Sequence, residues 1–201
     1  YDDLILARAG LIGHDAYLGL LAKTINGVLR GSGRLKQSVA ESSFDAWTKY
    51  YRQDENAPNA IVSYYTKGSL VALLLDLTIR SQTRGARSLD DVMRALWRRY
   101  GRDFYAPGKG TGVTEEAVEA LFDEVTGLSL KPVFDLAVRG TRDLPLAEAL
   151  AAFGIAMDDR QAGDKLTLDI RTKKNGADCQ LASVYEGGAA HRAGLSAGDT
   201  L

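Results

Sequence analysis

Tyr64 and Tyr65 stand at the mouth of the most apolar stretch of the chain, in the run Asn59-Ala60-Ile61-Val62-Ser63-Tyr64-Tyr65-Thr66-Lys67-Gly68. A tyrosine at such a junction has its ring clamped by apolar neighbours while its hydroxyl faces a cleft. With an ordinary pKa of about 10, the phenol keeps its proton at neutral pH and donates a hydrogen bond to a developing oxyanion. The same pair also reads as amphipathic core residues at an interface, and from composition alone that is the commoner case.

Other chemistries find less support. The only histidines, His14 and His191, have no partner at i+4 or CxxC-type spacing, so they read as surface or loop residues and no metal site is expected. Cys179 falls in a predicted strand, and no G-x-S-x-G elbow occurs. The loop Pro107-Gly108-Lys109-Gly110-Thr111-Gly112 lacks the pattern of a phosphate cradle: Asp103 replaces the first glycine, and Gly110 stands where Ser or Thr belongs. It reads as a helix connection.

The elements that must position these residues are mostly helical. Apolar residues recur at helical spacing in Leu18, Leu21, Ile25 and Leu29; in Leu89, Val92, Met93, Leu96 and Tyr100; in Val118, Leu121, Phe122 and Val125; and in Leu146, Ala149, Leu150 and Phe153. Ser88 with Asp91 and Thr114 with Glu115 and Glu116 mark helix starts. Gly101, Gly127, Gly140 and Gly154 read as left-handed caps, and Pro145 as a first-turn residue. The helix at about 64–80 is apolar almost all round and reads as central. After Met157 the period becomes two: Leu166, Leu168 and Ile170 alternate with Lys165, Thr167, Asp169 and Arg171, Asn175-Gly176 offers a turn, and Cys179 to Tyr185 reads as a second strand. Gly198 to Leu201 reads as the opening of another strand.

The 201 residues carry 25% charged and 45% hydrophobic side chains and a net charge of -1, which leaves no basic excess for nucleic acid. The longest apolar run, Leu70 to Leu75, is short of the roughly 20 residues of a membrane span, so no membrane partner is expected. One cysteine excludes an internal disulfide and fits a reducing compartment, so the expected location is cytoplasmic. The chain opens Tyr1-Asp2-Asp3 without a methionine and stops at Asp199-Thr200-Leu201, which reads as a piece of a longer protein; a signal peptide upstream is left open.

The run Ser63-Tyr64-Tyr65-Thr66-Lys67-Gly68, with its apolar helix behind it, resembles the S-Y-x-K-G element of zinc aminopeptidases. Its form S-Y-Y-T-K-G is similar to that of the glycyl aminopeptidase family, gluzincin-type zinc metallopeptidases. Ser43-Phe44-Asp45-Ala46-Trp47 through Tyr50-Tyr51-Arg52 and Asp54-Glu55-Asn56, Ser88-Leu89-Asp90-Asp91-Val92-Met93, and Tyr1-Asp2-Asp3-Leu4 are similar to the same family in matching order. The resemblance covers essentially the whole chain. It implies a mainly α fold: the helical C-terminal part of a thermolysin-like catalytic domain over 1–156, then the first part of a PDZ-like β module over 157–201.

In that family zinc is held by an H-E-x-x-H helix and a downstream glutamate, which by analogy lie upstream of Tyr1. Zinc is therefore expected in the parent enzyme, and the stretch alone is expected neither to hold the metal nor to hydrolyse peptides. Of the catalytic positions only Tyr65 is carried over, as the hydroxyl that stabilises the tetrahedral oxyanion; Lys67 and Gly68 match the motif without assigned chemistry. The implied activity is removal of N-terminal residues, with glycine a candidate, from a peptide substrate. In the β module, Leu168-Asp169-Ile170 sits where a PDZ carboxylate-binding loop has a glycine between apolar residues, and 189–199 is similar to the helix-to-strand passage. A complete PDZ domain would take a peptide C-terminus, but Asp169 would repel a carboxylate, and the second helix of the groove is missing after Leu201. The alternative reading is a noncatalytic helical plus PDZ-like interaction module. An upstream H-E-x-x-H decides between the two.

Overall fold

The computed structural model describes residues 1–158 and 166–200. It is mainly helical: α1 (Asp2–Arg8), α2 (His14–Arg30), α3 (Val39–Phe44), α4 (Ala57–Ala60), α5 (Tyr64–Gln82), α6 (Leu89–Leu96), α7 (Glu115–Thr126), α8 (Lys131–Phe134) and α9 (Leu146–Ala151) precede a hairpin of β1 (Ile170–Asn175) and β2 (Asp178–Val184) and a last short helix, α10 (Ala189–Arg192). The expected fold class, a helical part followed by a small β module, is what the chain adopts. Packing forms two compact units: Tyr1–Leu70 with Arg139–Asp143 and Asp159–Leu201, and Val71–Val138 with Leu144–Asp158. The parts expected at 1–156 and 157–201 are divisions of sequence pattern, and the packing units cut across them. Residues 159–165 and 201, which include Lys165 of the expected first strand and Leu201 of the expected third, lie outside the described residues.

In the first unit, α2 buries Ile25 alone of its expected face, and Leu29 stays 38% exposed. A 3₁₀ turn at Ser32–Leu35 follows. Its Gly33 lies against the backbone that leads into α5: a Cβ there would stand 2.1 Å from the Ile61 carbonyl oxygen, so no other residue fits without moving one of the two segments. α3 opens on a full capping box, with the Ser38 hydroxyl accepting from Glu41 N–H at 3.1 Å and the Glu41 carboxylate accepting from Ser38 N–H at 2.8 Å. The buried Ser42 hydroxyl donates to the Val62 carbonyl, and Val62 N–H donates to the Gln37 side chain at 3.1 Å.

The antiparallel hairpin closes at Gly176, the turn expected from Asn175-Gly176, with a register shift between Arg171 and Thr172. Its small core is Leu181, Val184 and Ala190, with Ile170 and Leu195 against them. The first strand is shorter than its alternation suggested. Asp169 takes a left-handed φ of 54°, which ends the extended backbone, so Leu166 and Leu168 lie before the strand with their side chains exposed. The hairpin is fixed to the helical residues of its own unit. Asn59 is buried, donates to the Val184 carbonyl at 2.8 Å and accepts from Glu186 N–H at 2.9 Å. The Glu186 carboxylate accepts from Ser32 and Lys36, and the Arg30 guanidinium lies 4.2 Å over the Tyr185 ring. These contacts explain why packing joins 166–200 to the N-terminal helices.

In the second unit, Val71, Leu74, Leu75, Leu77 and Ile79 of α5 are buried, as are Leu89 and Val92 of α6 and Leu121 and Phe122 of α7. Averaged over a window, 57–82 reaches the hydropathy of a membrane span although Leu70 to Leu75 alone is short, but these packed side chains make α5 a core helix. The Asp76 carboxylate joins helices by accepting from Leu89 N–H at 2.8 Å and from Arg80 on its own helix. The caps at Ser88 and Thr114 form as expected, and Gly127 and Gly154 are left-handed. Gly101 and Gly140 are not. Gly101 closes a π-helical turn, Trp97–Gly101, where a Cβ would stand 2.4 Å from the Trp97 indole, so close approach of the ring explains this glycine. The glycine-rich 107–112 is a turn leading to α7.

Candidate functional site

Ser63 starts α5 by accepting a hydrogen bond from Thr66 N–H at 3.2 Å on its hydroxyl oxygen, and its own proton goes to the Tyr50 hydroxyl at 3.2 Å. One residue thereby caps the helix that carries Tyr64 and Tyr65 and fixes the 3₁₀ turn Tyr50–Arg52 opposite them. The four tyrosines form a cluster. Tyr64 and Tyr65 rings lie 4.3 Å apart, Tyr50 packs edgewise on Tyr64 at 5.2 Å, and Tyr51 stacks on the exposed Trp47 at 5.2 Å.

Hydroxyls meet at the top of the cluster. The Tyr51 oxygen is 3.1 Å from that of Tyr64 and 2.9 Å from that of Tyr65. Hydrogen bonding to Tyr51, and then to Tyr65, pushes the Tyr64 phenol well above its ordinary pKa. Hydrogen bonding to Tyr51, and then to Tyr64, holds the Tyr65 phenol below its own. Either hydroxyl of each pair can be the donor; a relay in which Tyr64 donates to Tyr51 and Tyr51 donates to Tyr65 is the arrangement consistent with both directions. In that arrangement Tyr65 accepts inside the cluster and keeps its own proton to give outward. With 57% of its surface exposed, it has somewhere to give it. Replacing Tyr51 by Phe removes the first cause of both shifts, so Tyr65 is expected to titrate at higher pH and Tyr64 at lower pH. Carbon NMR of Cζ-labelled tyrosine reads both, and movement in the same direction would refute the relay.

On the same helix, Lys67 is 1% exposed, and its ammonium donates to the Arg34 carbonyl at 3.0 Å. Arg34 in turn holds both carboxylate oxygens of Asp143, at 2.7 and 3.2 Å. Burial lowers the Lys67 pKa, opposed by the charge of Asp143. A Cβ added to Gly68 would stand 4.0 Å from Val39, an ordinary contact distance, and nothing in the structure explains why this residue is glycine.

Of the expected site residues, then, Tyr65 is exposed at the start of its helix with its hydroxyl in a polar network. Its partners Tyr50 and Tyr51 and the buried Lys67 were not singled out by spacing. The signal available was the dipeptide Tyr50-Tyr51 and a lysine as the fourth residue of an apolar helix. The histidines stay apart in the fold's elements, His14 at the start of α2 and His191 in α10, where its Nδ1 accepts from Gly187 N–H at 3.4 Å. Among the described residues no three His, Cys, Asp or Glu side chains gather as a metal-ligand set. Cys179 is exposed on β2. In the loop before β1, the Asp169 carbonyl accepts from Tyr185 N–H and the Leu168 carbonyl from Ala190 N–H. The left-handed φ of Asp169 is the conformation that a glycine adopts at no cost.

Comparison with known proteins adds three findings. Residues 1–71, which include the whole tyrosine cluster, match the family model for the M61 glycyl aminopeptidase. No curated protein matches the chain. Among solved structures, the crystal structure of an aminopeptidase N family protein from Idiomarina loihiensis matches with 37% identity and a TM-score of 0.84, over 98% of this chain and 35% of that one. The chain therefore spans about a third of the length of that relative.

Proposed function

Because the chain belongs to the M61 glycyl aminopeptidase family, we propose that it is part of a zinc-dependent aminopeptidase that removes N-terminal residues from short peptides, with Tyr65 as its oxyanion donor. The observation that carries this reading is the exposed Tyr65 hydroxyl, held 2.9 Å from that of Tyr51; in the relay in which Tyr51 donates to it, its own proton is left for a ligand. A hydroxyl that accepts one hydrogen bond donates a stronger one. The peptide carbonyl is a weak acceptor in the ground state and a strong one once it becomes a tetrahedral oxyanion, so a fixed donor at that point favours the transition state over the substrate. Rigidity comes from the Ser63 cap, the Tyr50 packing and the Lys67 anchor, which keep the donor from reorganising as charge develops.

The zinc that the family implies finds no ligand set among the described residues. Its ligands belong, in this proposal, to another part of the longer enzyme, and the contribution of this chain is the hydrogen bond and the wall that holds it. Glycine, as the residue released, is likewise part of the proposal. The test is hydrolysis by the full-length protein of Gly-Leu-Phe and of its N-acetylated form. Release of the first residue from the free peptide alone is expected. Equal cleavage of the acetylated peptide would mean that no free amine is required and would remove the aminopeptidase reading.

A further inference from the structure

Beside the tyrosine cluster, within the first unit, opens a cavity of about 210 Å³. Val28, Pro58 and Ile61 give it an apolar floor, and its polar lining includes Arg34, Tyr50, Gln53, Ser63, Thr66 and Arg171, with Tyr185 beside them. Among the described residues no carboxylate lines it. The Arg34 guanidinium is already committed to Asp143 and to the Gly31 carbonyl. Arg171 is in a different state: it is exposed at the start of β1 and has no acidic partner among the described residues. The Gln53 amide and the Thr66 hydroxyl likewise have no partner among the described residues. Tyr50 accepts the Ser63 proton, which leaves its own O–H to donate.

Four donors, one of them a cation, thus line one cavity with no carboxylate among the described residues around it. Such a set of donors complements a ligand that brings acceptor oxygens, and a guanidinium complements an anion with two of them. An apolar floor of this size adds room for a small aliphatic group, since the cavity is below the roughly 300 Å³ where sites for larger ligands begin. Inorganic phosphate satisfies the donors but leaves the floor unused. A C-terminal amino-acid residue satisfies both.

The cavity also lies at the right separation from Tyr65. The Tyr50 ring, which lines it, is centred 5.9 Å from the Tyr65 ring, and Ser63 and Thr66 flank Tyr65 in sequence. An extended residue advances about 3.3–3.6 Å, so a carboxylate one or two residues beyond a carbonyl held at Tyr65 reaches the cavity. We propose that this cavity is a carboxylate subsite holding the free C-terminus of a short peptide substrate, with Arg171 as its charged anchor. The proposal rests on the reading of Tyr65 as the catalytic hydroxyl. It restricts the substrate class to di- and tripeptides with an unblocked C-terminus. It is separate from the loop at Asp169, because Asp169 is not among its lining residues and it needs no second PDZ-like helix.

The experiment compares Gly-Gly-Leu with Gly-Gly-Leu-amide in the full-length enzyme, as wild type, Arg171→Ala and Arg171→Lys. For the wild type, KM is expected to be about 3- to 10-fold lower for the acid, a range set by partial solvent screening of the pair. Arg171→Ala is expected to raise KM for the acid to the value for the amide, leave the amide unchanged, and change kcat for neither; Arg171→Lys recovers part of the difference. The unchanged amide value shows that the variant is folded. Equal KM for acid and amide in the wild type, or a parallel rise for both in Arg171→Ala, would overturn the proposal, as would tighter binding of inorganic phosphate than of the tripeptide acid. Calorimetric titration of acid and amide into Tyr65→Phe separates the two readings. Loss of the acid preference in binding condemns the cavity, whereas undiminished turnover by that variant condemns the catalytic role of Tyr65.

Discussion

Replacing Tyr65 by Phe in the full-length enzyme is expected to lower kcat about 10²- to 10³-fold, the usual cost of removing one oxyanion donor, while KM stays within about twofold. The split follows from when the hydrogen bond matters. A neutral carbonyl gains little from Tyr65 beyond what water offers, so ground-state binding barely changes; the oxyanion gains a charge-assisted bond, so the barrier rises. Phe keeps the ring, and with it the 4.3 Å packing on Tyr64, so a loss of activity from collapse of the cluster is separated from loss of the proton. The zinc content of the variant should equal that of the wild type. The alkaline limb supplies a second check. Tyr65 donates only while protonated, and hydrogen bonding to Tyr51 holds its pKa below the ordinary tyrosine range. Activity should therefore fall as pH rises through that lowered pKa, and Tyr51→Phe should move the fall to higher pH. Near wild-type kcat in Tyr65→Phe would end the assignment.

How far the sequence reached is clearest at Tyr65 itself. Patterning placed it at the start of an apolar helix, because a run such as Leu70 to Leu75 admits few other readings, and motif resemblance singled it out from Tyr64. What patterning could not reach was the hydroxyl relay. Tyr51 precedes the pair by 13 and 14 residues, Tyr50 precedes Ser63 by 13, and only the turn at Tyr50–Arg52 brings them together. Helix ends were legible where a side chain does the capping, as at Ser88 and Thr114, since that chemistry is local. Gly101 was misread because its reason is not local backbone freedom but the Trp97 ring lying where a Cβ would be. The first strand was overlong for a similar cause. Alternation continues through Leu166 and Leu168, but the left-handed Asp169 interrupts the extended backbone, a conformation that composition does not announce. The docking of the hairpin through Asn59 was invisible, since a buried asparagine is recognised only by the Val184 and Glu186 backbone groups it satisfies.

Lys67→Ala is expected to destabilise the protein by about 3–5 kcal/mol, and Lys67→Met by only about 1 kcal/mol, because the two remove different things. At 1% exposure the aliphatic stem of Lys67 is packed like a core side chain. Ala deletes that packing and leaves a void. Met keeps most of the stem and loses the ammonium, which strands the Arg34 carbonyl but also removes a charge that burial disfavours. The two terms oppose, so the net cost is small. Their pH dependence tells them apart from a general loss of packing. Burial lowers the folded-state pKa of Lys67, so between that value and the ordinary lysine range at about 10.4 the unfolded chain binds more protons than the folded one. Wild-type stability therefore rises with pH through that window and is reduced by the buried charge below it. Neither variant carries that contribution. Urea unfolding of the wild type and both variants at neutral pH and near the lysine range measures this directly. A Met variant as unstable as the Ala variant would show that the bond to Arg34 outweighs the packing. In that case Lys67 would hold the Tyr65 turn in place by its charge rather than by its stem.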